Sequence, residues 1–309
     1  MNVNKKSKLL VYKKHFPLYL MILPGVLYLI INNYIPMAGM IIAFKKVNFS
    51  KGILASPFCG LDNFKFLFSS DQAWIITRNT MLYNLAFILV NMVIGIAIAI
   101  LITQVRSKKM KKLYQSAILL PFLMSMVILS YIVYAMLSAE NGMVNNSILK
   151  ALHIDPVQWY QRPEYWPFIL VIANCWKGVG YGCLIYIATL IGIDPTFYEA
   201  ARLDGATKWQ EIKKITLPCM VPTIITLLLL SIGRIFYSDF GLFYQVPMNS
   251  GVLLPTTNVI DTYVYRALIE QGNISMSSAA GVYQSLVGFA VVMVSNWVVR
   301  RADKEKALF

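Results

Sequence analysis

Long apolar stretches separated by short polar segments dominate the pattern of this sequence. Six of them reach the length of about 20 residues that a helix needs to cross roughly 30 Å of hydrocarbon. They lie at residues 17–44, 79–103, 113–138, 166–192, 216–238 and 277–299. The first stretch follows five basic residues like a secretory signal, but it continues without a small-residue cleavage site and is predicted to be a retained, kinked helix. The pattern therefore predicts an all-α membrane protein with six transmembrane helices.

Composition and charge refine this picture. Of the 309 residues, 58% are hydrophobic and 14% are charged, whereas soluble proteins carry about 25% charged residues. The net charge of +14 raises the possibility of nucleic-acid binding, but 18 of the 28 Lys and Arg residues fall in inside segments if the N-terminus is cytoplasmic. Such a bias is typical of membrane orientation. We expect a cytoplasmic N-terminus (1–16), a membrane domain (17–299), a cytoplasmic C-terminal tail (300–309) and no bound nucleic acid.

One inside connection, residues 193–216, has the pattern of two short helices. Asp194-Pro195 is typical of a helix start, with Asp as N-cap and Pro at the first helical position. A helix over Thr196–Leu203 is followed by Gly205, the residue type that ends helices in a left-handed conformation. A second helix is predicted over Ala206–Ile215, closed before Pro218. The result is a helix–turn–helix on the cytoplasmic face.

The same connection carries a recognisable motif. The pattern E-A-A-x-x-D-G-A, followed after eight residues by I-x-L-P, resembles the EAA signature of permease subunits of type I binding-protein-dependent ABC importers. Here it reads Glu199-Ala200-Ala201, Asp204-Gly205-Ala206, Ile215-Thr216-Leu217-Pro218 and Pro222. Similarity to the oligosaccharide and polysaccharide branch of that family extends over most of the chain, at Tyr34–Met37, Gly192–Pro195, Asp261–Arg266 and Ser278–Gly281.

The resemblance implies a role for residues 193–216, which we call the coupling loop: it would dock into a groove of a cytoplasmic ATPase subunit. Glu199 would be the ionic anchor, Gly205 would set the angle between the helices, and Trp209 would be an apolar anchor. The full set of residues expected to act in coupling is Glu199, Ala200, Ala201, Asp204, Gly205, Ala206, Trp209, Leu217 and Pro218.

The resemblance also implies the rest of the assembly. Partners would be a second permease subunit, expected to be a homologue that forms a heterodimer, two ATPase subunits and an extracellular or periplasmic solute-binding protein. The location would be the bacterial cytoplasmic membrane. The chain contains no G-x-x-x-x-G-K-[ST] sequence, so we expect it to be no enzyme and to bind no cofactor, with ATP and Mg²⁺ bound by the partner ATPases.

Ionisable residues inside a membrane are costly and are candidate functional residues. A sugar site needs polar groups beside aromatic rings. The candidates are Trp176, Lys177 and Tyr181 on the fourth span and Arg234, Tyr237 and Asp239 on the fifth. Helix packing is the alternative for the aromatic residues, and an ion pair or gate contact is the alternative for the two cations. Asn84 and Asn91 would either line the pathway or bond neighbouring helices.

Other residues and patterns in the sequence bear on helix packing, on metal binding and on other protein classes. The glycines of Gly178-Val-Gly-Tyr-Gly182 predict close helix packing. The four cysteines are expected to be apolar fillers, and the two histidines lack companion ligands, so no metal site is predicted. A membrane-embedded glycosyl transferase would need paired carboxylates or a metal cluster at one membrane face. A secondary transporter would need buried carboxylates. Within the importer class, amino acids, peptides and phosphate are the alternative solutes.

Overall fold

The computed structural model describes residues 5–69 and 71–302, so that most of the predicted C-terminal tail lies outside the described residues. Side chains are described except those of residues 5–14, 66–68, 298 and 302. In chain order the α-helices are α1 (Lys5–Leu29), α2 (Ile35–Ala38), α3 (Gly52–Ala55), α4 (Asp62–Phe68), α5 (Gln72–Gln104), α6 (Lys108–Leu123), α7 (Met126–Leu137), α8 (Trp166–Ile191), α9 (Pro195–Leu203), α10 (Lys208–Glu211), α11 (Leu217–Ile232), α12 (Phe240–Gln245), α13 (Leu254–Thr257), α14 (Ile260–Tyr265) and α15 (Ile274–Ala302). π-helical segments lie at Ile30–Tyr34, Val144–Leu149, Ile212–Thr216 and Arg266–Glu270, and 3₁₀ turns at Gly39–Phe44, Trp159–Gln161, Pro163–Tyr165 and Gly251–Leu253.

Long apolar helices account for the six predicted spans. Five single stretches are long and apolar enough to cross a membrane: His15–Phe44, Gln72–Gln104, Pro163–Ile191, Lys208–Ile232 and Ile274–Arg301. The sixth is a bent pair, Lys108–Leu123 with Met126–Leu137. Strands are absent from residues 5–69 and 71–302, where the only β pairing is an isolated bridge between Lys45 and Phe58. The prediction of an all-α membrane protein is therefore confirmed.

The third span differs from the single stretch predicted at 113–138. It consists of α6 and α7, whose axes meet at 95°. At the break, the Ser125 hydroxyl accepts a hydrogen bond from the Ile128 N–H (3.3 Å) and so caps the start of α7. The end of α6 is capped from outside by Lys177 on α8. The two helix ends created by the break, the last turn of α6 and the first turn of α7, therefore both have hydrogen-bond partners inside an apolar region.

The fifth span also begins earlier than predicted. A helix closed before Pro218 is wrong, because α10, the π segment and α11 form one continuous helix over residues 208–232, which we call the fifth-span helix. Pro218 is the second residue after the π segment Ile212–Thr216. A proline lacks an N–H and clashes with the carbonyl of the preceding turn in a regular α-helix. The widened π turn accommodates it without ending the helix.

Helix α8 forms the centre of the packing, with α5 and α6 against it. At Gly180 the approach to α6 is so close that an added Cβ would lie 1.9 Å from the carbonyl oxygen of Ile118. Around Gly182 there is no atom within 4 Å of such a Cβ. Close helix packing is thus confirmed for Gly180 and is not observed for Gly182. The first span, by contrast, exposes its large apolar side chains from Phe16 to Met37.

Candidate functional site

Helix α9 of the coupling loop is capped at both ends. The Asp194 carboxylate accepts a hydrogen bond from the Thr196 N–H (2.9 Å), and this bond lowers the pKa of Asp194. At the other end, the Ala206 N–H donates to the Ala201 carbonyl (2.9 Å), while Gly205 adopts φ +76°. This arrangement is a Schellman motif, which needs a left-handed residue that glycine adopts without steric cost. The predicted N-cap at Asp194 and the predicted left-handed helix end at Gly205 are both observed.

The second helix starts with a capping box that was not predicted. The Thr207 hydroxyl accepts from the Gln210 N–H (3.4 Å), and the Gln210 side chain accepts from the Thr207 N–H (2.7 Å). Only Asp204, Gly205 and Ala206 separate the end of α9 from Thr207. The turn between the two helices is therefore short and hydrogen-bonded on both sides.

Beneath this turn lies Glu211, a residue that sequence reasoning missed. Its side chain is buried, and it forms ion pairs with Arg202 Nε (3.0 Å) and Lys208 Nζ (2.7 Å). The Tyr198 hydroxyl is 3.0 Å from the Thr216 hydroxyl. These contacts attach α9 to the fifth-span helix. The Lys208–Glu211 pair has the i, i+3 spacing of helical ion pairs, which is the one signal in the sequence that was available.

The coupling loop exposes three large apolar side chains to solvent. Trp209 is 70% exposed, Leu203 is 90% exposed and Phe197 is 57% exposed. Trp209 was predicted as an anchor, whereas Phe197 and Leu203 were not. Of the other predicted coupling residues, Glu199, Ala200, Asp204, Gly205 and Pro218 are exposed, and Ala201, Ala206 and Leu217 are half-buried. An exposed apolar patch on an ordered element is typical of a protein–protein contact.

Lys177 lies at the break in the third span. Its ammonium donates to the carbonyl of Phe122 (3.0 Å) and to that of Met124. These are carbonyls at the C-terminal end of α6, where a positive charge is favoured by the helix dipole. The ammonium also lies 5.7 Å from the centre of the Phe122 ring, which stacks on Tyr181 at 4.7 Å. Lys177 and Tyr181 therefore both contact Phe122.

Two cavities adjoin this region. Trp176 lines an apolar cavity of about 460 Å³ between α7 and α8. Tyr181 lines a second one, of about 320 Å³, with Asn91 of α5 and Ser231 of α11. Asn91 donates to the Asn174 side chain (2.8 Å) across the helix interface.

The three fifth-span candidates lie beyond the end of α11, which ends at Ile232. Arg234 and Tyr237 are exposed, and the Asp239 carboxylate caps α12 by accepting from the Leu242 N–H (3.1 Å). No hydrogen bond, ion pair or ring contact within residues 5–69 and 71–302 joins them to the candidates on α8. The structure thus groups the candidates into two separate sets.

Asn84 bonds α5 to the segment between α11 and α12, rather than to a neighbouring helix. Its amide donates to the carbonyl of Ile235 (2.8 Å) and to the Ser238 hydroxyl (3.2 Å). These bonds fix the segment that carries Tyr237 against α5.

The structure has five single spans, a broken third span and an exposed, capped helix–turn–helix at the start of the fifth-span helix. This is the architecture of a multi-pass membrane permease. The chain belongs to the family of binding-protein-dependent transport system inner membrane components, whose sequence profile matches residues 73–304. The resemblance noted at the EAA motif is thereby confirmed.

Similar proteins agree with this assignment. The chain is 32% identical over 293 residues to the polygalacturonan/rhamnogalacturonan transport system permease protein YteP of Bacillus subtilis, covering 93% of this chain and 89% of that protein. It is 30% identical over 214 residues to the trehalose/maltose transport system permease protein MalF of Thermococcus litoralis, covering 69% and 70%. A crystal structure of a bacterial ABC transporter that imports the acidic polysaccharide alginate contains a chain with a TM-score of 0.85 and 34% identity, covering 94% and 98%. A second crystal structure, of the bacterial alginate ABC transporter in complex with an alginate pentasaccharide-bound periplasmic protein, contains a chain that is 33% identical to this one, with a TM-score of 0.85.

Proposed function

We propose that this chain is the transmembrane subunit of an ATP-binding-cassette importer of oligosaccharides and forms half of its translocation pathway. The observation that carries the proposal is the exposed coupling loop, because it is joined without interruption to the fifth-span helix. Relatives that carry saccharides across membranes support the solute class.

The assembly that we propose has four further subunits. A second, homologous permease subunit completes the pathway, and two ATPase subunits dock on the coupling loops and bind the ATP and Mg²⁺. A solute-binding protein docks on the outer connections, as the complex with a periplasmic protein suggests. This chain binds no cofactor and performs no hydrolysis in this scheme. Both termini face the cytoplasm of a bacterial cell, in accord with the inside excess of Lys and Arg.

For the solute we propose contacts with exposed aromatic and charged side chains on α8 and in the segment after α11. Trp176, Tyr181 and Tyr237 expose flat rings that suit the C–H faces of sugars. Arg234 is exposed and forms no ion pair with a described residue, so it suits a solute carboxylate. Acidic oligosaccharides are therefore favoured within the class, in agreement with the similar transporter that imports the acidic polysaccharide alginate. Lys177 affects the solute indirectly in this proposal: its ammonium is bound by the carbonyls of Phe122 and Met124, so it positions Phe122 instead of contacting the solute.

The mechanism is alternating access. ATP binding closes the two ATPase subunits, the coupling loops move with them, and the pathway opens outward to the solute-binding protein. Hydrolysis returns the inward-facing state and releases the solute to the cytoplasm.

The experiment that tests the proposal reconstitutes the chain with its partner subunits and measures ATPase activity as saccharide-loaded binding protein is added. Stimulation is expected for the wild type and is expected to fall for Glu199→Ala and Gly205→Val, with membrane insertion unchanged. Stimulated activity that is equal in all three proteins would remove the coupling loop from the mechanism. Uptake without ATP would instead support a secondary transporter.

A further inference from the structure

Glu211 occupies a joint between two helices of the coupling loop. Its carboxylate is buried, yet its two cationic partners come from different elements: Arg202 from α9 and Lys208 from the first turn of the fifth-span helix. Each carboxylate oxygen accepts one charge-assisted hydrogen bond, Oε1 at 3.0 Å and Oε2 at 2.7 Å. A buried carboxylate is stable only when it is paired in this way, so removal of one partner is costly. Glu211 therefore constrains the angle between α9 and the fifth-span helix.

A second contact lies further along the same helix. The Tyr198 hydroxyl of α9 pairs with that of Thr216 at 3.0 Å, and Thr216 is buried. Glu211 and Thr216 stand at the two ends of the π segment 212–216. A π segment is a local irregularity at which helices bend. Two attachments that span it hold this part of the helix against α9.

The segment that follows the fifth-span helix, residues 233–239, is also held by polar contacts. The carbonyl of Phe236 accepts from the Gln284 side chain (2.6 Å), and that of Ile235 accepts from Asn84 (2.8 Å). The Ser238 N–H donates to Asp261 (2.8 Å). The fifth-span helix and the segment after it thus connect the coupling loop at one end with α5, α15 and the outer connection at the other.

We propose that Glu211 is a positioning residue for transport: through Arg202 and Lys208 it fixes α9 on the fifth-span helix, so that a displacement of α9 becomes a displacement of that helix. The inference rests on the proposed function. Without Glu211, the covalent turn at Gly205 and the Tyr198–Thr216 hydrogen bond are the attachments of α9 to the fifth-span helix that remain among the hydrogen bonds and ion pairs of the described residues. ATPase subunits then still dock, because the exposed face of α9 is unchanged, but their motion is transmitted less completely.

The test measures solute molecules transported per ATP hydrolysed by the reconstituted complex, for Glu211→Ala, Arg202→Ala and the double variant. Each single change is expected to lower this ratio by about five- to tenfold, the lower range for a coupling free energy between two sites. The double variant is expected to lose no more than either single one, because both residues act through the same pair. Lys112→Ala removes an exposed cytoplasmic cation elsewhere and serves as the matched control, with an unchanged ratio. The proposal would be overturned if the losses of the two single variants added up in full in the double variant. It would also be overturned if both single variants kept the wild-type ratio of solute transported per ATP.

A second readout separates positioning from mere structural support. Spin labels at Thr196→Cys and Leu230→Cys, in a background without native cysteines, report the distance between α9 and the fifth-span helix. Its distribution is expected to broaden with Glu211→Ala and with Arg202→Ala, and to stay narrow with Arg202→Lys, which keeps the charge. A narrow distribution in Glu211→Ala would contradict the proposal. If Glu211→Ala does not assemble, Arg202→Ala answers the same question. A wild-type complex that saccharide-loaded binding protein fails to stimulate would count against the proposed function instead.

Discussion

Gly180 offers a sharp steric test of the packing between the third and fourth spans. A Cβ at this position would lie 1.9 Å from the Ile118 carbonyl oxygen and 2.7 Å from the Ile118 carbonyl carbon. These are backbone atoms, which have no rotamer to move into. The matched control is Gly182→Ala on the same helix, where the added Cβ would have no neighbour within 4 Å.

The size of the effect follows from the distances. Ordinary van der Waals contact for a methyl group begins at about 3.4 Å, so α6 and α8 would have to separate by about 1.5 Å at this point. Overpacking of this kind typically costs about 1–3 kcal/mol, and the rigid backbone places Gly180→Ala in the upper half of that range. Lys177, one turn earlier on α8, would also move away from the Phe122 carbonyl, whose 3.0 Å hydrogen bond caps the break.

The assay compares the thermal stability of the purified complexes and their transport rates. Gly180→Ala is expected to lower the unfolding temperature and the transport rate, while Gly182→Ala is expected to match the wild type in both. If the two variants behave alike, α6 and α8 do not approach each other as described, and the account of the broken third span is wrong.

Three further predictions concern the caps. Lys177→Met leaves the carbonyls of Phe122 and Met124 without their donor and is expected to lower stability by about 0.6 kcal/mol per lost bond, a typical value between membrane helices. Lys177→Arg should retain most of the stability in a thermal unfolding assay, and equal stability of the two variants contradicts the capping role. Gly205→Ala forces a side chain into a left-handed conformation at a cost of about 1–2 kcal/mol, so saccharide-stimulated ATPase activity is expected to fall, and full stimulation would refute the need for glycine. The bond to the backbone lowers the pKa of Asp194, so the cap is complete above the ordinary aspartate pKa of about 3.9 and is lost as pH falls through the lower folded value. Limited proteolysis of the coupling loop should show this transition for the wild type and not for Asp194→Asn, whose side chain still caps the helix. An identical pH profile for the two proteins would contradict the assignment.

Local sequence signals predicted the parts of the fold that depend on local chemistry. Apolar runs of membrane length located the spans, because the bilayer imposes a length that few other structures require. Asp194-Pro195 and Gly205 located the ends of α9, because capping residues act on the backbone beside them. The EAA motif added the family, which the sequence profile over residues 73–304 confirms.

Contacts between distant residues explain what the sequence did not predict. The break at Met124-Ser125 depends on Lys177, more than 50 residues away, whose ammonium caps α6. Sequence reasoning found Lys177 as an intramembrane cation but had no means to pair it with backbone carbonyls. Glu211 looked like an ordinary surface residue of a helix, and only tertiary packing buries it beside Arg202. The solute contacts stay predictions, since they depend on the proposed pathway between two permease subunits.

The most direct test of the central claim is uptake of a labelled oligosaccharide into proteoliposomes that contain the complete complex, with binding protein outside and ATP inside. We predict accumulation that requires both ATP and the binding protein and that is abolished when Glu199 and Gly205 are replaced together. Accumulation without ATP, or undiminished accumulation by the doubly substituted complex, would contradict the account.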